Sequence, residues 1–215
     1  MDSIKLVMVG DEESGKTRLL VSFIGGDYSP EEHKNNLFSK YSSRIQLSKR
    51  IIQVTIHDTN SQDQYYPLRK IYYKDASAII ICFSVVDRES FKNVKKKWYP
   101  EVHRKCPKLP IILVGTKIDL RSNKDVVDQL ESNNSRPVTY AEGLEMKKKI
   151  KAYKYLGLFY LSIFSINYTS KSLLLKIEYS SLENRSNNDE TVISEYLIFE
   201  KIFAKKLEKC KKSKK

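Results

Sequence analysis

Apolar residues in this chain fall into short continuous runs separated by stretches of helical spacing. "IKLVMVG" (Ile4 to Gly10) is a β-branched apolar run ending in glycine, the pattern of a strand buried on both faces. "GKTRLLVSFIG" then changes period, with Leu19, Leu20, Phe23 and Ile24 on one helical face. "RIQLS" and "IIQVTIHD", separated by Lys49-Arg50, predict a hairpin, and "SAIIICFSVV" and "PIILVGTKID" predict two further buried strands. Each of these two follows a helical stretch and precedes another. Strands alternating with helices predict an α/β fold on a mainly parallel sheet, with its ligand at the strands' C-terminal ends.

Two segments break the rhythm. "NKDVVDQLESNNSRP", residues 123–137, is polar with helical character. After the helix "TYAEGLEMKKKIKAY", the stretch "KYLGLFYLSIFSINYTSKSLLLKIEYSSLENRS" offers two strands where one is expected. "ETVISEYLIFEKIFAKKLEK" closes the regular pattern as an amphipathic helix, with Val192, Tyr196, Phe199, Phe203 and Leu207 in phase. No internal repeat is visible. A length of 215 residues suits one domain, residues 1–200, with a short tail, 201–215.

Composition narrows the functional classes. Apolar residues make up 40% of the chain, enough for a core, and no segment approaches the ~20 apolar residues that cross a bilayer. "MDSIKLVMVG" does not have the form of a secretory leader. Cys82, Cys106 and Cys210 lie far apart without metal-ligand spacing, so free thiols in a reducing compartment are expected. Asn-x-Ser/Thr triplets at Asn133, Asn167 and Asn184 then carry no glycan. The net charge is +13, but eight lysines against Glu208 place +7 of it in the tail. With no zinc spacing, helix-turn-helix pattern or aromatic stacking motif beside that charge, no nucleic-acid partner is expected. His33, His57 and His103 form no catalytic cluster and read as loop or strand-edge residues.

The chemistry starts at "GDEESGKT": Gly10, Asp11, Glu12, Glu13, Ser14, Gly15, Lys16 and Thr17. This run fits G-x(4)-G-K-[ST] between a strand and a helix, the context a phosphate loop requires. Its backbone N–H groups and the helix N-terminus favour phosphate oxygens. Lys16 reaches the β- and γ-phosphates and the Thr17 hydroxyl ligates Mg²⁺. "DTNSQD", running through Asp58, Thr59, Asn60, Ser61 and Gln62, ends the third strand where a Mg²⁺ shell needs an acceptor and attacking water needs orienting. "TKID" supplies Thr116, Lys117 and Asp119. One carboxylate accepts both the N1–H and the N2 amine of guanine, a donor pair adenine lacks.

These motifs resemble the small GTPases of the Ras superfamily. "ICFSVVDRESFKNVKKKWYPEV", "CPKLPIILVGTKIDLR" and "PVTYAEGLEM" are similar to the Rho/Rac family, whose extra helix falls within residues 123–137. The resemblance is continuous from about Ile4 to Leu156 and looser from Glu178 onward. It implies a P-loop fold on a mostly parallel six-stranded sheet, and a monomeric signalling switch that binds GTP/GDP with Mg²⁺. It also implies Tyr28 packed against guanine, Asn36 in the place of the threonine that ligates Mg²⁺, and Gln62 as the catalytic glutamine. Ser180 and Ser181 match the last base-binding loop. Effectors of cytoskeletal type read the region around Phe38 and Tyr41, and exchange factors and activating proteins are the implied regulators. The expected location is cytoplasmic and peripheral at the inner face of the plasma membrane.

Five departures in the domain, and one in the tail, qualify that picture. Glu12 stands where the family has a glycine that admits the glutamine and an activating protein's arginine finger, a contribution typically worth ~10³–10⁵ in rate. Glu13 adds like charge, about a kcal/mol or more over 10–15 Å at an effective dielectric of ~20, which weakens nucleotide binding without abolishing it. Ser61 replaces a switch glycine, and Asn36 is longer than threonine on a lengthened loop. Residues 157–177 are an apolar insertion: a surface hairpin, a partner-binding patch or a remnant of imperfect splicing. Its "GLFYLSIF" competes with "KIEYSSL" for the last place in the sheet. In the tail Cys210 is followed by "KKSKK", so the family's prenylation box is absent and the lysines alone give weak attachment to an anionic membrane. The expectation is occupancy with stalled hydrolysis, against two rivals: a scaffold with weak or no nucleotide affinity, and a basic nucleic-acid binder.

Overall fold

The structure is a computed structural model that describes residues 2–23, 38–47 and 50–157. Six strands form one sheet: β1 (Asp2–Gly10), β2 (Phe38–Leu47), β3 (Arg50–Thr59), β4 (Ala78–Ser84), β5 (Ile111–Thr116) and β6 (Lys154–Gly157), ordered β2-β3-β1-β4-β5-β6. β2 and β3 pair antiparallel, Phe38 opposite Thr59 and Leu47 opposite Arg50, so the hairpin is longer than the two apolar runs alone suggested. The other pairings are parallel, with Met8 beside Asp58, Gly10 beside Cys82, Ser84 beside Thr116 and Gly115 beside Gly157. Those registers bring Gly10, Thr59, Ser84 and Thr116 to one edge, where the candidate loops emerge.

Strand alternation divides the core in two. Val7, Val9, Ile79, Ile81, Phe83 and Leu113 face one side, where Val94, Trp98, Val102, Met146 and Ile150 cover them. Ile4, Leu6, Met8, Ile80, Cys82 and Val114 face the other, with Leu20 from α1 (Lys16–Phe23). Every residue of β4 and β5 is buried, which is why both read as unbroken apolar runs.

The remaining helices are α2 (Tyr66–Tyr73), α3 (Arg88–Asn93), α4 (Tyr99–Lys105), α5 (Lys124–Ser132) and α6 (Tyr140–Lys149). Asp87 caps α3 by accepting from the amides of Glu89 and Ser90, and Thr139 with Glu142 forms a capping box on α6. A π-helical turn, Val94–Trp98, joins α3 to α4 and carries the buried Trp98. The polar segment after β5 folds as α5, capped by Asn123. Gly157, where the apolar insertion begins, is the last residue of β6. The competing strands after it, the final amphipathic helix and the basic tail lie outside the described residues. His57 sits within β3 and His103 on α4, so neither is a loop or strand-edge residue.

Candidate functional site

The loop after β1 is shaped by its glycines. Gly10 has φ +151°, and a Cβ there would lie 2.3 Å from the Cys82 carbonyl oxygen, because the β1–β4 register holds the two backbones together. Gly15 has φ +81°, and a Cβ would stand 3.1 Å from Thr116 Oγ1. Glu13 takes up a left-handed conformation, φ 58°, without being glycine. From Gly15 the chain enters α1, with Leu19 N donating to Gly15 O at 3.0 Å.

Lys16 lies inside this loop. Its Nζ donates to Gly10 O at 3.0 Å and to Asp11 O at 2.7 Å, and the residue is 8% exposed. Burial pulls its pKa down, while Asp58, Asp11 and Glu12 pull the other way. Thr17 Oγ1 donates to Asp58 Oδ2 at 2.5 Å, and Thr59 Oγ1 ties β3 to β1 through Met8 O at 2.7 Å. Thr116 Oγ1 lies 2.7 Å from Ser14 O and 3.1 Å from Phe83 O, so its one proton fastens β5 either to the loop or to β4. Ser14 is fully buried, and its Oγ has no hydrogen-bond partner among the described residues.

The Asp11 carboxylate faces away from the loop interior. It accepts from Trp98 Nε1 and from Asn93 Nδ2, each at 2.7 Å, so the residue's side chain turns towards the π-helical turn and only its main chain serves the loop. Asn93 and Trp98 thus buttress the loop from about eighty residues away; the lone tryptophan was the one sequence signal for them. Glu12 and Glu13 are exposed, and neither has a hydrogen bond or ion pair among the described residues. The two added charges therefore alter the potential at the loop mouth without changing its frame.

Residues 60–63 are held by side chains from α2 and the π-helical turn. Arg69 Nη1 donates to Asn60 O at 2.9 Å and to Gln62 O at 2.7 Å, and Lys97 Nζ donates to Ser61 O at 3.0 Å. Arg69 is anchored in turn by two bonds of 2.9 Å to the Glu101 carboxylate, which also accepts from the Tyr73 hydroxyl at 2.5 Å. Burial opposes the Arg69 charge, yet the Glu101 hydrogen bonds and charge leave its pKa raised. Burial, with Glu101 beside it, also pushes the Tyr73 phenol well up. Lys97 further pairs with Asp63 at 2.7 Å and holds its carboxyl below the usual range. Gln62 is exposed; its amide donates to Asn60 Oδ1 at 2.9 Å, and its Oε1 accepts from Gln64 Nε2 at 2.9 Å. Ser61 is not among the residues with positive φ, so a Cβ is unstrained in this conformation. Sequence reading missed Arg69, Glu101 and Lys97 because their spacing carries no motif.

Beyond β5, Lys117 adopts a left-handed conformation, φ 59°, that turns the chain into a 3₁₀ turn, Ile118–Ser122, where Asp119 is exposed at the rim. Phe38 stacks on Tyr72 at 5.1 Å and meets Tyr65 edge-on at 6.0 Å, joining β2 to α2, while Tyr41 packs against the core. Tyr28, Asn36, Ser180 and Ser181 lie outside the described residues.

The arrangement fits a polyphosphate with a hard cation. A glycine cradle, a buried lysine and an orphaned serine hydroxyl suit phosphate oxygens, and the adjoining Thr17 and Asp58 oxygens are the donors Mg²⁺ takes. The comparisons agree with that chemistry. Residues 5–159 match the Ras family. Over 154 residues the chain is 43% identical to the Rho-related GTP-binding protein RhoD of Homo sapiens, covering 72% of this chain and 73% of that protein. Over 152 residues it is 41% identical to the GTP-binding protein rho5 of Schizosaccharomyces pombe, covering 71% and 76%. A Ras-family match over most of the chain, with identity at this level over most of both partners, makes this chain a member of the Rho family of small GTPases.

Proposed function

We propose that this protein is a Rho-like guanine-nucleotide switch that holds GTP and cleaves it slowly. Guanine-nucleotide and Mg²⁺ binding is general in its family. For this chain the observation that carries the reading is the buried Lys16, closed on the Gly10 and Asp11 carbonyls beside the Thr17–Asp58 pair. The geometry of that core is kept, because Glu12 and Glu13 are exposed and Glu12 acts on Lys16 through charge alone. The residues from Gly10 to Thr17 would take the phosphates, Thr116, Lys117 and Asp119 with Tyr28, Ser180 and Ser181 the base. Thr17, Asp58 and Asn36 would hold Mg²⁺, which neutralises phosphate charge when bound.

Slow cleavage has two supports. Glu12 places a carboxylate where transition-state charge and an arginine finger meet. Gln62, the residue that would orient water, has its amide bound by Asn60 and its side chain by Gln64, while Arg69 and Lys97 hold the neighbouring carbonyls. Regulation by exchange factors, and signalling to cytoskeletal effectors through Phe38 and Tyr41, follow from the family by analogy. The location expected on the same grounds is cytoplasmic, at the inner face of the plasma membrane. Among the described residues no helix is long and apolar enough to cross a membrane.

The test is chromatography of nucleotide released from natively purified protein, followed by single-turnover hydrolysis. Bound guanine nucleotide with GTP persisting for hours is the expected result; rapid cleavage removes the second half of the proposal. A scaffold with little nucleotide affinity is the rival, favoured by Asp11, Glu12 and Asp58 acting together on one Lys16. It predicts a melting midpoint that Mg²⁺-GTP leaves unmoved.

A further inference from the structure

The cations of the folded body are concentrated at the end of the sheet opposite the phosphate loop. α4 ends there with Arg104 and Lys105, followed by Lys108 on the turn into β5. α6 ends there with Lys147, Lys148 and Lys149, followed by Lys151 in a left-handed conformation, φ 51°. Lys154 opens β6, and Lys5 reaches the same end, its Nζ donating to Lys74 O at 2.7 Å. Main-chain bonds from Ser77 N to Lys5 O, Ile79 N to Pro110 O and Tyr153 N to Ile111 O set these segments side by side. Arg50 opens β3 and Arg44 pairs with Gln53, so the β1–β3 and β2–β3 registers set both residues at this end, beyond the level of Lys5. This pole therefore carries twelve cations, Lys74 included, against Asp2, Asp75 and Glu145. The described residues hold 26 Lys and Arg and 16 Asp and Glu, which leaves only 14 against 13 elsewhere.

Favourable interaction with helix C-termini accounts for lysines in the last turns of α4 and α6. It does not account for Lys108, Lys151, Lys154 or Lys5, which lie outside those helices. We propose that this pole is a membrane-docking surface of the folded domain itself, acting in addition to the basic tail and recognising anionic phospholipid headgroups. Three features favour a lipid surface over nucleic acid. Nine of the twelve cations are lysines, which act as point charges, whereas readers of nucleic acid rely on the bidentate fork of arginine. Tyr153, 41% exposed, stands between Lys151 and Lys154, the amphipathic ring among cations that suits a headgroup layer. The charges also come from separate chain segments gathered on one end of the sheet, and the opposite end is left for the nucleotide loops and residues 60–64.

The test is sedimentation of the full-length protein with phosphatidylcholine vesicles, with or without about 30% phosphatidylserine. Each lysine near such a surface raises partitioning about fivefold. The triple variant Lys148→Gln, Lys149→Gln, Lys151→Gln, with the tail intact, is expected to lose about tenfold or more of the phosphatidylserine-dependent partitioning. Lys105→Gln with Lys108→Gln, on a separate element, is expected to lose several-fold, and it still decides the question if the triple variant misfolds by circular dichroism. Wild-type partitioning in both folded variants, or none by the wild type, overturns the proposal. So does tighter binding to a DNA or RNA duplex than to anionic vesicles at the same salt. The readout does not depend on nucleotide, so it stands or falls apart from the GTPase reading.

Discussion

The phosphate loop and the segment 60–64 both differ from the family pattern, but different forces hold them. The loop has its own frame as well as distant supports: two glycines permit its close approaches and Lys16 bonds to carbonyls five and six residues back, while Asn93, Trp98 and Thr116 hold it from other elements. Its substitutions, Glu12 and Glu13, face outward and leave that frame standing. The segment 60–64 has the Asn60–Gln62 turn and the start of a 3₁₀ turn, Asp63–Tyr65, as local structure, and depends for its position on Arg69, Lys97 and Glu101. A substitution in the loop therefore changes charge, whereas one in the buttress of 60–64 changes position. Impaired turnover can arise either way, and the two routes separate by experiment.

The largest effect is expected from Arg69→Met. It leaves the 8%-exposed Glu101 without its cation, and breaking a buried pair from one side typically costs ~3–5 kcal/mol. Urea denaturation should show that loss, and Glu101→Leu on the same background should recover much of it. Recovery without return of the native Gln62 environment, read by exchange of its amide, would separate stability from positioning.

Glu12→Gly follows. If the loop charge limits turnover, single-turnover hydrolysis should rise about tenfold or more. An unchanged rate moves the block to 60–64, where Asn60→Ala and Ser61→Gly become the decisive variants.

A smaller gain is expected from Glu13→Gly, since a non-glycine residue at φ 58° costs roughly 1–2 kcal/mol. A higher urea midpoint with unchanged slope is the result to look for, and a lower one would mean the Glu13 side chain stabilises the loop.

The smallest effect concerns pH. Lys97 lowers the folded-state pKa of Asp63, so the pair's contribution is present above the unfolded value, 3.8, and is lost as pH falls through the lower folded value. Because Asp63 is almost fully exposed, that contribution amounts to a few tenths of a kcal/mol at most and shrinks with salt. Asp63→Asn should flatten the acid limb of the stability curve slightly; an unchanged limb would mean that the Lys97–Asp63 pair adds nothing measurable, leaving Arg69 and the Lys97–Ser61 bond to hold the segment.

The amino-acid sequence alone determined the alternation of strands and helices, since burial on both faces leaves unbroken apolar runs such as "AIIICFS" that no other element explains. It also determined the phosphate loop, whose chemistry is written in eight consecutive residues. Tertiary structure alone decided that the Asp11 carboxylate turns to Trp98 and Asn93, that Arg69 and Lys97 grip the carbonyls of 60–62, and that twelve cations share one pole. Those contacts join residues tens of positions apart, and only the packing of helices on the sheet brings them within hydrogen-bond reach. Local spacing carries no trace of such partners, because their geometry is set by the register of other strands.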